Sequence, residues 1–157
     1  MTAQISLAKA LKLKNRLAGR LAQAVSDIQT YNSVLEEQVS KVDVKALLAK
    51  RVSITAALVE LKVALYNGNL GIQRELYTLA ERKGEIDFYR MLNTRDGIER
   101  HGYQNTSVTY VATVSKAEVD EKIKLLETEV DSLQDRIDSY NHATKITIPQ
   151  SILDLAS

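Results

Sequence analysis

Apolar side chains recur at alternating spacings of four and three along the first quarter of the chain. The series is Leu7, Leu11, Lys14, Ala18, Leu21, Val25, Ile28, Asn32, Leu35 and Val39, eight of the ten being apolar. This rhythm predicts one amphipathic helix from about Ser6 to Ser40. Such a helix runs about 50 Å at ~1.5 Å per residue, longer than the ~40 Å diameter of a compact globule of this chain length. An elongated molecule, or copies packed side by side, is the expectation.

Asp43 is a candidate N-cap for a second helix with the seam Leu47, Arg51, Ile54, Leu58, Leu61 and Leu65, stopped by Tyr66-Asn67-Gly68-Asn69. The short connection predicts an antiparallel hairpin of the two helices. A third helix, roughly Leu70 to Asn93, carries Ile72, Leu76, Leu79 and Ile86, then Tyr89 or Leu92, with Gly84 weakening its middle. From Thr94 to Thr106 the rhythm vanishes and a loop is predicted. Ser107 to Val114 is β-branched and alternating, which predicts a strand. Ser115-Lys116-Ala117-Glu118 reads as a capping box. It opens a heptad helix through Val119, Ile123, Leu126, Val130, Leu133, Ile137 and Tyr140, seven of seven apolar or aromatic. Lys145 to Ile148 reads as a short second strand before Pro149, and Gln150 to Ala156 as a loose tail. A two-stranded ribbon is marginal alone, so it should lean on helices or on another copy.

Composition sharpens this picture. The chain has 157 residues, one proline, six glycines and no tryptophan, too few turn residues for a sandwich or barrel of many short strands. It has no cysteine, which removes disulfides, thiolate metal sites and cysteine nucleophiles. With 21 basic and 20 acidic side chains, the net charge of +1 offers no global field for long nucleic acid. Charge is nonetheless uneven: residues 1–20 hold five bases and no acid, whereas 116–140 hold eight acids and four bases. The first and last long helices are therefore expected to be electrostatic neighbours. No run of eighteen apolar residues and no secretory-signal pattern occur, so a cytoplasmic, non-membrane protein is expected.

Ser6-Leu7-Ala8-Lys9-Ala10-Leu11, the Asn67 region, Leu79-Ala80-Glu81-Arg82 and Tyr110-Val111-Ala112-Thr113-Val114 form a distinctive layout. Together with the heptad helix running into Asn141 and Thr144, they resemble the septicolysin-like family of small helical proteins in bacteria and phages. The resemblance implies a coiled-coil-like helical protein with a β-ribbon. His142 stands where that family's pattern has tryptophan, and the loop after the second helix is shorter. A pore-forming role fits poorly, because neither strand reaches the roughly nine to eleven residues that cross a bilayer.

Enzymatic signatures are missing: His101 and His142 lack metal-ligand spacing, and no phosphate-binding glycine loop or nucleophile elbow occurs. A non-enzymatic protein without metal or cofactor is expected. The densest candidate for binding is Tyr89 to Asn105, with Tyr89, Arg95, Arg100, His101, Tyr103, Gln104 and Asn105 as candidate ligand contacts. Arginine forks bind phosphate or carboxylate, tyrosine faces stack on bases, and amide side chains read a base edge. The competing reading is a polar connector whose arginines pair with Asp87, Asp96 and Glu99. Lys14, Asn32, Arg51 and Lys83 interrupt the apolar seams, either as buried register-setting residues or as edge positions.

The expected fold is thus mainly α, with long antiparallel helices, coiled-coil-like seams and a small β-ribbon, in a single elongated domain over 1–157. Its parts are three helices (1–93), loop and strand (94–114), the heptad helix (115–141), and a short strand with tail (142–157). The expected assembly is a homo-oligomer joined through Val119, Ile123, Leu126, Val130, Leu133, Ile137 and Tyr140. Its expected role is capture of a small anionic, nucleotide-like ligand at subunit boundaries, or recognition of other helices.

Overall fold

A computed structural model describes residues 1–36, 42–101 and 106–156. The protein is mainly α with two small antiparallel ribbons. The order is β1 (Thr2–Ser6), α1 (Leu7–Tyr31), α2 (Val44–Asn69), a 3-10 turn (Leu70–Ile72) and α3 (Gln73–Met91). Then come β2 (Gly97–His101), β3 (Thr106–Tyr110), α4 (Lys116–Ala143), β4 (Lys145–Pro149) and α5 (Gln150–Ala156). The chain divides into two compact units, Met1–Gly71 with Asp138–Ser157, and Ile72–Ile137.

The first unit is built on an α1–α2 hairpin. Ser6 caps α1 by accepting from Lys9 N at 3.2 Å, and Asp43 caps α2 by accepting from Ala46 N at 3.0 Å. The helices run antiparallel: Leu7 meets the end of α2 at Gly68, while Ala24 and Asp27 flank Leu47 and Lys50. Their interface holds Leu13 and Leu17 of α1 and Ile54, Leu58 and Leu61 of α2. The β1–β4 ribbon closes one side. Ile5 pairs with Ile146 and Ala3 with Ile148, so strand alternation turns the isoleucines into the core and leaves Lys145 and Thr147 outside.

Several sequence expectations are corrected here. The first helix ends at Tyr31, not Ser40, because the Asn32-Ser33 pair favours a helix end; residues 37–41 lie outside the described residues. Its buried stripe is Leu7, Ala10, Leu13, Leu17 and Ala24, a rotation from the expected phase that leaves Ala18 exposed. Tyr66 to Asn69 form the last turn of the second helix, which ends at Asn69 and is followed directly by the 3-10 turn. The tail is the helix α5, with Ile152 and Ala156 buried. Arg16 and Arg20 donate to the carbonyls of Ala156 (3.1 Å) and Leu155 (2.6 Å), cations placed at the negative end of a helix. Two of the five bases at the start of the chain, Arg16 and Arg20, therefore have partners at the α5 carbonyls. Asn32, Arg51 and Lys83 are exposed and Lys14 half-buried, so these are edge positions; among the described residues no polar side chain is buried.

In the second unit, α3 and α4 face each other with the β2–β3 ribbon between them in sequence. Arg82 Nε lies 2.9 Å from Glu129 Oε2, off its N–H direction, so the contact is an ion pair rather than a hydrogen bond. Arg82 Nη1 donates to Glu85 Oε2 at 2.9 Å, and Arg90 Nη2 to Glu127 Oε1 at 2.8 Å. The capping box forms: Ser115 N–H and O–H donate to Glu118 Oε2 at 2.8 and 2.7 Å, and Glu118 N–H donates back at 3.3 Å. Of the heptad residues, Val119, Leu126, Leu133 and Ile137 are buried within one chain, and Ile123, Val130 and Tyr140 are half-buried. These seven residues, expected at a subunit interface, are buried or half-buried within the single chain. The strand expected over 107–114 spans 106–110 and pairs with β2, inside the segment read as a loop.

Candidate functional site

The candidate segment leaves α3 through two side-chain-to-backbone bonds. Asn93 Oδ1 accepts from Arg95 N–H at 3.1 Å, and Asp96 Oδ1 accepts from Ala112 N–H at 3.2 Å. The first shapes the turn out of α3, the usual task of Asn in turns, and the second ties the entry of the ribbon to its exit. Gly97 then adopts φ +93°, a left-handed conformation that side-chain-bearing residues rarely take. The hairpin therefore starts where glycine permits it.

The register pairs Gly97 with Tyr110, Ile98 with Thr109, Glu99 with Val108 and Arg100 with Ser107. Residues directly opposite share a face, and successive residues alternate. Glu99, Val108 and Tyr110 therefore stand on one face, Ile98 and Arg100 on the other. Arg95 lays its guanidinium over the Tyr110 ring, 5.6 Å from the centroid, with Nε 4.0 Å from Glu99 Oε1. This is a cation–π stack with a long, exposed ion pair beside it.

Arg95 and Arg100 are thus not brought together as one anion clamp. Tyr89 belongs to a different place: it is half-buried, packs edge-on to Phe88 with centroids 5.2 Å apart, and lines a depression between α3 and α4 with Lys116 and Asp120. His101 is placed by its backbone pairing with Thr106. Tyr103, Gln104 and Asn105 lie outside the described residues. Sequence reasoning missed Asn93, Asp96 and Tyr110 as organisers of the segment. The Asn93-Thr94-Arg95 turn pattern was the one available signal; the Tyr110 role depends on pairing across the hairpin.

Two titrations are moved by local bonds. The Glu118 carboxyl is held below its usual range by the Ser115 hydroxyl and N–H, and the carboxylates of Glu129 and Glu85 raise Arg82 further above its ordinary value. Neither group has the raised acid or lowered base character that acid–base chemistry at neutral pH requires. Among the described residues no group of three or more His, Asp or Glu side chains is placed to hold a metal ion, and no helix is long and apolar enough to cross a membrane. Comparison with protein-family profiles, curated proteins and solved structures finds no match to this chain.

Proposed function

We propose that this chain is a non-enzymatic interaction protein that works through helical seams, its ribbon serving as a braced connector between α3 and α4. The observation that carries this reading is the internal use of the segment's polar groups. Asn93 holds Arg95 N–H, Asp96 holds Ala112 N–H, and Arg95 rests on Tyr110 beside Glu99. An anion binder needs uncommitted donors converging on one point, whereas Arg95 stacks on Tyr110 at one face of the ribbon and strand alternation puts Arg100 on the other.

The second reading, capture of a small anionic ligand such as a nucleotide, is favoured by Arg100, an exposed side chain with no hydrogen bond or ion pair among the described residues. A thermal-shift series with nucleotides and cyclic nucleotides separates the two. A ligand at 100 times its dissociation constant stabilises the native state by about 2.7 kcal/mol. The interaction reading expects no such shift. A nucleotide-dependent shift that Arg100→Ala or Arg95→Ala abolishes would replace it with the binding reading.

A further inference from the structure

α2 carries two apolar faces and α1 covers one of them. Ile54, Ala57, Leu58, Leu61 and Leu65 are buried in the core of the first unit. On the other side stand Ala49, Val52, Ala56, Val59, Val63 and Tyr66, continued by Leu70 at the start of the 3-10 turn, at spacings of three and four without interruption. All seven are exposed, and Val52, Val59, Val63, Tyr66 and Leu70 each keep more than half of their surface free. This is the a/d spacing of a coiled-coil seam sustained over three heptads, about 31 Å at ~1.5 Å per residue.

Resting on the interaction reading above, we infer that this face of α2 is the docking surface for the same face of a second copy of the chain, packed antiparallel. Three properties select that occupant. The seam is uncharged; α2 flanks it with one acid and one base, Glu60 and Lys62, and Lys145 of β4 lines the same depression as Glu60 and Val63, so no strong field of one sign recruits a charged peptide, a polyanion or an anionic membrane. Its heptad spacing demands a straight helix of equal period and comparable length, which the stripe itself supplies. Its side chains also vary in size in a way that fits an inverted copy. Antiparallel pairing about the level of Leu61 sets Val52 against Leu70, Ala56 against Tyr66 and Val59 against Val63, in both directions. A parallel pair would instead set alanine on alanine, leaving a void, and tyrosine on tyrosine, crowding the layer. The antiparallel register does bring each Glu60 and each Lys62 toward its counterpart, but exposed like charges in water weigh less than the apolar layers. A helix face about 10 Å wide and 31 Å long exposes on the order of 300 Å² per copy, within the roughly 300–600 Å² of the largest apolar patch on a typical monomer, which is often functional. Two such faces bury about 600 Å², below the roughly 1,200 Å² of stable protein interfaces, so the association is weak and concentration-dependent.

The test uses the full chain. Sedimentation at tens of micromolar should give twice the chain mass, and Val59→Lys with Val63→Lys should return it to a single chain. Helical circular dichroism should be unchanged, because both side chains are exposed. Since the chain has no cysteine, Ala56→Cys and Tyr66→Cys each introduce a single thiol. Oxidising a mixture of the two variants should link them to each other, while either variant alone stays uncrosslinked, because only the mixed pair shares a layer. Self-crosslinking of either variant overturns the antiparallel pairing. An oligomer whose mass survives both lysines overturns the α2 surface and leaves the interaction reading standing. A wild-type single chain that binds nucleotide through its arginines overturns both.

Discussion

The Tyr140 hydroxyl donates to the Gly68 carbonyl at 2.9 Å, tying the end of α4 to the last turn of α2. The same glycine admits the core: a Cβ at position 68 would stand 2.5 Å from Leu7 Cδ2 and 2.7 Å from Ile146 Cγ2. Both neighbours are buried, so neither can swing away cheaply. Tyr140→Phe should lower unfolding stability by about 1 kcal/mol, the net worth of one hydrogen bond. Gly68→Ala should lower it by about 1–2 kcal/mol, overpacking outweighing the helical preference for alanine. Urea unfolding of the two variants measures both.

Gly84 gives the opposite expectation. It sits inside α3, exposed, and an added Cβ would meet nothing within 4 Å. Gly84→Ala should therefore stabilise the protein by about 0.5–1 kcal/mol, since the glycine costs backbone entropy and no neighbour needs its small size. A lower Tm for this variant would show that the glycine has a packing partner.

The Ser115–Glu118 box gives a pH dependence with a definite sign. Because the folded-state pKa of Glu118 is depressed, its contribution is fully present above the unfolded value of roughly 4.3 and is lost as pH falls through the folded value. An NMR titration should place the Glu118 carboxyl below the ordinary glutamate range. Ser115→Ala should move it upward, because the hydroxyl bond is the largest cause of the shift. An unmoved titration in that variant would mean that the hydroxyl does not hold the carboxylate.

What was legible in the sequence was local. The capping box, the Asp43 cap and the α4 heptad depend on residues within a turn or two of each other, and each forms as read. β1 was invisible because its partner β4 lies at the far end of the chain, Thr2 pairing with Pro149. The phase of α1 was misread because Leu11, Leu21 and Val25 compete with Ala10, Leu13 and Leu17, and only packing against α2 decides between two adjacent apolar stripes. α2 hid its second seam for a related reason, since a helix apolar on two sides shows no single phase. At the candidate site, Arg95 and Arg100 are near in sequence. Their separation depends on the stacking of Arg95 on Tyr110 across the hairpin and on the alternation of a strand whose Glu-Arg-His composition carries no strand signal.

The central claim is that α2 leaves one apolar seam for another copy of the chain, and the molar mass of the unmodified protein tests it most directly. Light scattering across a dilution series from tens of micromolar downward should show a mass near twice 17.5 kDa that falls toward 17.5 kDa on dilution. A constant 17.5 kDa throughout would contradict it.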